Sequence, residues 1–447
     1  MRLSFHGACS EVTGSNILIE SRNQKILLDC GLFQGPRLHE EKNFSGFGYS
    51  PSEINALVLC HAHLDHVGRT PKLVKEGFRG RIYSTGPTKE LAQLVLADNE
   101  KLMHDEVEKH GGELLYDLAD LERTVPLFET IPYGERIEIV PGIKLTLLNA
   151  GHILGSCVCV IEAEGKKLAY TSDLGNNPSL LLESPTRVAS ADYLISESTY
   201  GGRTHEDINL RTQKLAWVLE NTIKDSGVLL IPSFAIERTQ ELLHDIDHFC
   251  SIEGCNRPMF YLDSPLAQKV TAVYGKYPEF LGSNIRSNHL DNDFFGLERV
   301  QITQTVDESK EINDAPSPKV IIAGAGMMNG GRILHHAKRY LPDSKNTLLI
   351  VGYQAKGSLG RRILDGDTEV KIHGERVPVN AKVKAIGSYS AHADAPQLEN
   401  YIKSIAGLKR VFFVHGEPEE SQAIANTVST KIGIVSIIPE TGKYYEL

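Results

Sequence analysis

His61-Ala62-His63-Leu64-Asp65-His66 follows directly on the apolar run 56–60, and these six residues decide how the rest of the chain is read. Four of them carry metal-capable side chains. Imidazole and carboxylate both suit zinc. His61 and His63 are two apart, so an extended segment points both to the same side. Asp65 and His66 come as the chain turns and can face a second ion nearby. One ion leaves some of these donors idle, whereas two ions ~3.5–4 Å apart use them all. A purely structural role fails for this block, because burying three imidazoles and a carboxylate without a cation has no offsetting gain.

Working outward, the run 56–60 reads as a buried strand. Runs 144–148, 167–171 and 410–414 read as strands too, and each is followed by a further donor: His152, Asp173 and His415. Loops past strand ends gather over one rim of a sheet. Taken singly, His152 and His415 read as surface or core imidazoles and Asp173 as a turn former. Together with the block they make a ligand set for two ions.

The first part of the chain reads as sheet-rich. Residues 15–20 and 24–29 form a hairpin, 158–162 and 193–196 are strands, and 88–110 carries Leu91, Leu94, Val95 and Leu102 at helical spacing. From about Thr204 the pattern changes to strand–helix alternation. Strand 227–234 precedes a helix from Glu237; strand 259–262 precedes helix 267–274; strand 319–323 precedes helix 333–340; strand 347–352 follows. Continuous apolar strands alternating with helices imply a parallel sheet covered by helices. Residues 281–318 are polar and read as a surface excursion. After Ser388, strands 410–414 and 434–438 are too few for a separate core. They complete the first domain, giving domains at 1–203, 204–388 (an insert) and 389–447.

With 41% hydrophobic and 23% charged residues in 447, the composition is that of a soluble globular chain. No apolar run reaches the ~18–20 residues of a membrane span, and the first residues show no secretory pattern. The seven cysteines (Cys9, Cys30, Cys60, Cys157, Cys159, Cys250 and Cys255) are odd in number and form no C-x-x-C pair. Reduced thiols and a cytoplasmic location are expected. Cys157 and Cys159 read as opposite-pointing residues with a core-packing role. A net charge of −10 argues against a protein that coats nucleic acid, but not against a nuclease. Two divalent ions bring about four positive charges to a site whatever the overall balance.

The motifs resemble those of the β-CASP family of the metallo-β-lactamase superfamily, which includes the messenger-RNA 3′-end processing endonuclease and bacterial and archaeal RNA nucleases. The lactamase-domain motifs match Asp29, His61–His66, His152 and Asp173. The β-CASP motifs match Glu197 in Ser196-Glu197-Ser198-Thr199-Tyr200-Gly201, His392 in Ser390-Ala391-His392-Ala393-Asp394, and His415 in Val414-His415-Gly416-Glu417. Stretches IPSFAIERTQEL, IIAGAGMMNGGRILHH and GYQAKGSLGRRIL are similar to the bacterial branch. Glycine is common there where this chain has Glu237, a change that a surface position accepts. The resemblance implies an α/β fold: an αββα metallo-β-lactamase sandwich with an inserted parallel-sheet α/β (β-CASP) domain. It implies that His61, His63 and His152 hold one zinc, that Asp65, His66 and His415 hold the other, and that Asp173 bridges. Asp29 then orients a ligand histidine. Manganese is the alternative occupant.

The activity implied is cleavage of single-stranded RNA by a metal-activated hydroxide, endonucleolytic with 5′–3′ exonuclease action open, leaving 5′-phosphate and 3′-hydroxyl ends. Asp65 and Glu197 join His392 in the catalytic set, with His392 as general acid oriented by Glu197. Ser233, Arg332, Lys356 and Ser390 are the expected substrate contacts, with Arg361 and Arg362 beside them; a solvated helix face is the other reading of the basic residues. Gly324-Ala325-Gly326 lacks the third glycine of a dinucleotide loop. An RNA substrate, no membrane partner and an open question of homodimerisation complete the expectation. The rivals are a small ester or thioester hydrolase on the same fold, a DNA-directed nuclease and a metal-free RNA-binding scaffold.

Overall fold

The computed structural model describes the chain apart from residues 36, 252–257, 289–294 and 296, so Cys255 lies outside the described residues. The chain divides into two compact units. One is built from Met1–Thr204 and His392–Leu447, the other from His205–Ala391. No helix among the described residues is long and apolar enough to cross a membrane.

In the first unit two seven-stranded sheets face each other. The order in one is Tyr444–Glu446, Arg2–Phe5, Ile17–Ser21, Gln24–Leu28, Ala56–Val58, Arg81–Ser84, Phe128–Thr130. The other runs Val435–Ile437, Arg410–Val414, Tyr193–Glu197, Lys166–Tyr170, Cys157–Ala163, Ile143–Asn149, Arg136–Val140. Alternate residues explain the layering. Leu3, Ile17, Ile26 and Val58 of the first sheet meet Leu145, Cys159, Leu168, Ile195 and Phe412 of the second in one core. On the opposite face of the second sheet, Val160, Ala169, Leu194 and Phe413 bury against Leu398 and Ile402 of helix Ala395–Lys403 and Ile424 of helix Pro418–Thr427. Cys157 and Cys159 do not point apart. Being two residues apart on one strand they share a face, and both enter the inter-sheet core beside Cys60, with Sγ of Cys60 and Cys159 3.2 Å apart.

The second unit carries a six-stranded, all-parallel sheet ordered Val300–Ile302, Met259–Asp263, Lys319–Ala323, Val228–Pro232, Thr347–Ile350, Lys382–Ala385. Segment 281–318 is therefore more than an excursion, since it supplies the edge strand Val300–Ile302. A hairpin of Glu369–Ile372 and Glu375–Pro378 packs Ile372 and Val377 into the core with Ile333 and Ala337 of helix Arg332–Tyr340. Glu237, at the entry to helix Arg238–Ser251, is not a surface position. It is 2% exposed, takes φ 65°, and accepts a hydrogen bond from the Tyr274 hydroxyl at 2.5 Å.

Candidate metal centre

Each donor group enters the centre from the end of a strand. The backbone there is bent sharply: Asp29 after Gln24–Leu28, Ser172 after Lys166–Tyr170 and His415 after Arg410–Val414 have φ of 59°, 49° and 50°. Left-handed backbone costs a non-glycine residue of order 1–3 kcal/mol and persists where the surroundings over-determine it. Here each bend turns a polar side chain onto the rim. Helix Leu64–Val67 starts within the H-x-H-x-D-H block, so Asp65 and His66 leave the extended direction of His61 and His63.

The donor atoms of His61, His63, His152 and Asp173 lie within 4.8 Å of one another, as do those of Asp65, His66 and His415. Asp173 joins the two groups: its Oδ2 is 3.4 Å from His61 Nε2 and 3.5 Å from His152 Nε2, and its Oδ1 is 3.3 Å from His66 Nε2 and 3.7 Å from His415 Nε2. Three of these fully buried atoms, His61 Nε2, His66 Nε2 and Asp173 Oδ1, have no hydrogen-bond partner. Buried polar atoms left this way are costly unless a cation takes their lone pairs. The donor set, nitrogen and oxygen only, fits zinc or manganese.

The outer nitrogens of the imidazoles are also engaged. His66 Nδ1 lies 2.8 Å from Asp29 Oδ2, His61 Nδ1 lies 3.2 Å from Ser172 Oγ, and His415 Nδ1 lies 3.1 Å from Thr199 Oγ1. Each contact turns the Nε2 atom inward. Asp29 is itself fixed, accepting from the Tyr170 hydroxyl at 2.8 Å and the Cys60 amide at 2.8 Å. Thr199, Ser172 and Tyr170 escaped the sequence reading. The only available signal was the position of Thr199 inside the Glu197 motif.

Electrostatics favour positive charge here. Burial opposes ionisation of Asp173, but the imidazoles of His415, His66 and His61 override it and hold the carboxyl well below its usual range. Burial likewise disfavours a charged His66, yet Asp173 and Asp29 together raise it well above an ordinary histidine.

His392 stands beside this cluster. Its Nδ1 is 3.1 Å from Glu197 Oε2 and 4.0 Å from Asp173 Oδ2. Glu197 is held by the Leu174 amide at 2.6 Å. Burial alone lowers the His392 pKa, but Glu197, with smaller help from Asp173 and Asp65, pushes it up to about 9. The segment is stitched in place by a bridge between His392 and Gly175 and by the Ala393 amide donating to Leu174 at 2.8 Å.

The remaining expected contacts belong to the second unit. Ser233 is buried, with its hydroxyl 3.0 Å from that of Thr239. Ser390 is buried and its amide donates to Gly387. Lys356 is exposed. Arg332 donates to Asp263 at 2.6 Å and to the Gln304 carbonyl at 2.8 Å, while Arg361 and Arg362 pair with Asp365 and Asp367.

A helix-flanked two-sheet sandwich with histidines and aspartates gathered past its strand ends defines the class of metal-dependent hydrolases. Three family models match in succession: a metallo-beta-lactamase superfamily domain over residues 18–193, a Beta-Casp domain over 239–363, and a Zn-dependent metallo-hydrolase RNA specificity domain over 376–439. The chain belongs to the β-CASP family of the metallo-β-lactamase superfamily. It is 38% identical to Ribonuclease TTHA0252 of Thermus thermophilus across 98% of both chains. It is 33% identical to Transcription termination factor FttA of Methanocaldococcus jannaschii over 96% of this chain and 69% of that one. A crystal structure of a protein of unknown function from Enterococcus faecalis V583 shares the fold, with TM-score 0.57 and 12% identity over 100% of this chain and 99% of that one.

Proposed function

We propose that this protein is a metal-dependent ribonuclease. It takes two zinc ions and cuts single-stranded RNA internally, leaving 5′-phosphate and 3′-hydroxyl ends. The carrying observation is the His392–Glu197 pair set 4.0 Å from Asp173, beside seven converging donors. The names of the relatives, one of them a ribonuclease, and the RNA specificity domain match support RNA over a small ester as substrate.

The groups divide the work. His61, His63 and His152 would hold one ion, Asp65, His66 and His415 the other, with Asp173 between. Bound divalent ions supply Lewis acidity, lowering the pKa of water toward ~7 and offsetting charge on the phosphoryl oxygens. His392 delivers the proton that the departing 3′-oxygen needs. Glu197 favours the charged imidazole and, by engaging Nδ1, directs Nε2 to the substrate. Burial of the cluster keeps bulk water from screening these interactions.

The test is metal content together with cleavage of 5′- and 3′-end-labelled RNA, and of DNA of the same sequence, by wild type and His392→Ala. The expected result is two equivalents of metal in both proteins, cleavage of RNA by wild type, and a loss of ~10²–10⁴ in rate in the variant. Loss of metal from His392→Ala would make His392 a ligand instead of a proton donor.

A further inference from the structure

One aromatic side chain next to the general acid has no part in the chemistry above. The ring centroid of Tyr200 lies 6.2 Å from that of His392, tilted by 50°. His392 in turn lies 4.6 Å from His152, ring to ring. Exposure rises along this series. His152 is buried at 1%, the His392 side chain is 14% exposed, and Tyr200 is half-buried. The series thus leads from the metal ligands toward solvent, past the proton donor.

Tyr200 is also carried on a fixed turn. Glu197 and Thr199, on the same segment, bind His392 and His415. The Gly201 amide donates to Ser198, and the Arg203 amide donates to the Tyr200 carbonyl. Beyond the turn, the Gly202 amide and the Arg203 guanidinium both donate to Glu420, at 2.8 and 2.6 Å. Gly201 packs so closely on helix Pro418–Thr427 that an added Cβ would stand 2.4 Å from the Glu420 carbonyl oxygen. A ring held this way loses little freedom when a partner stacks on it.

We propose that Tyr200 is a stacking platform for the base of the nucleotide immediately 5′ of the scissile phosphate; this rests on the nuclease reading. The geometry selects that nucleotide. His392 protonates the departing 3′-oxygen, and that oxygen and the base in question belong to one nucleoside. A phenol ring 6.2 Å from the imidazole is within reach of that base. Every base has a π-face, so the platform gives affinity for unpaired RNA with little sequence preference, and a duplex with its bases stacked inside cannot use it.

The experiment uses short single-stranded RNA with one mapped cut, intact or with a single abasic nucleotide on the 5′ or the 3′ side of it. On intact RNA, Tyr200→Ala should lower kcat/KM about 5- to 100-fold, with Tyr200→Phe near wild type and metal content unchanged. For wild type, the 5′ abasic nucleotide should cause a loss of similar size and the 3′ one much less. Combining Tyr200→Ala with the 5′ abasic substrate should add no further loss. Losses that multiply instead would overturn the platform and make Tyr200 a packing support for His392. Wild-type indifference to the 5′ abasic nucleotide overturns it as well, even where Tyr200→Ala does not fold. A wild-type protein that cuts none of these RNAs fails at the nuclease reading, an outcome distinct from both.

Discussion

The carboxylate of Asp29 is met by the Cys60 amide, the Tyr170 hydroxyl, the Ser172 hydroxyl and His66 Nδ1. It acts on the centre only through His66. Asparagine tolerates the left-handed backbone at this position, so Asp29→Asn removes the charge with little else. Zinc affinity, measured by chelator competition, should fall ~10–100-fold in that variant. Unchanged affinity would assign Asp29 to core packing. Glu197→Gln preserves the shape of the His392 contact and removes its charge. Its kcat should fall about 10- to 100-fold, less than for His392→Ala, with KM and metal content close to wild type. At this scale the sequence is legible where donors are local, as in His61–His66, four of them within six residues. It is illegible where an orienting contact joins distant positions. Ser172 and His61, or Thr199 and His415, meet only after two strands have been laid side by side.

Elements with a clear apolar run were readable in the same way. The strands Ala56–Val58, Lys319–Ala323 and Arg410–Val414, and the long helix Gly86–His110, stand where the pattern puts them. Edge strands were not. Lys382–Ala385 is Lys-Val-Lys-Ala, mostly exposed, and owes its conformation to pairing with Thr347–Ile350. Val300–Ile302 hides in a polar stretch and is fixed by Met259–Asp263. Tertiary pairing, not local propensity, makes such segments strands. Glu237 shows the converse, a local strain retained for a contact. Glu237→Gly relieves the left-handed backbone but leaves the Tyr274 hydroxyl without its carboxylate. An unsatisfied buried group costs more (about 1–3 kcal/mol) than the strain relieved (about 1 kcal/mol), so the single variant should unfold at a lower temperature. Adding Tyr274→Phe should return the melting temperature to wild type or above; failure to recover would mean that the carboxylate has a further role.

For the whole molecule, the unpartnered atoms of His61, His66 and Asp173 predict that metal is part of stability as well as of chemistry. Removing it with a chelator should lower the melting temperature by about 5–15 °C, and added zinc should restore it. Acid should destabilise the first unit through His6 as well. Burial, with help from Arg69, lowers this imidazole from 6.5 to about 4, where it packs edge-on against Tyr49. Between those values the unfolded chain holds a proton that the folded one does not. The contribution of His6 is therefore complete above pH 6.5 and is lost as pH falls toward 4, by up to ~3 kcal/mol. In denaturant titrations the gap between wild type and His6→Gln should change across that window and stay constant above it. One feature of the sandwich reaches further. The strand Arg410–Val414 lies between Tyr193–Glu197 and Val435–Ile437, and the strand Tyr444–Glu446 pairs with Arg2–Phe5. A ribosome must therefore translate the entire insert before the second sheet can close. Throughout that interval the nascent chain lacks both His392 and His415, so it emerges as an unfinished cage, harmless to the messenger still threaded through the ribosome that is making it.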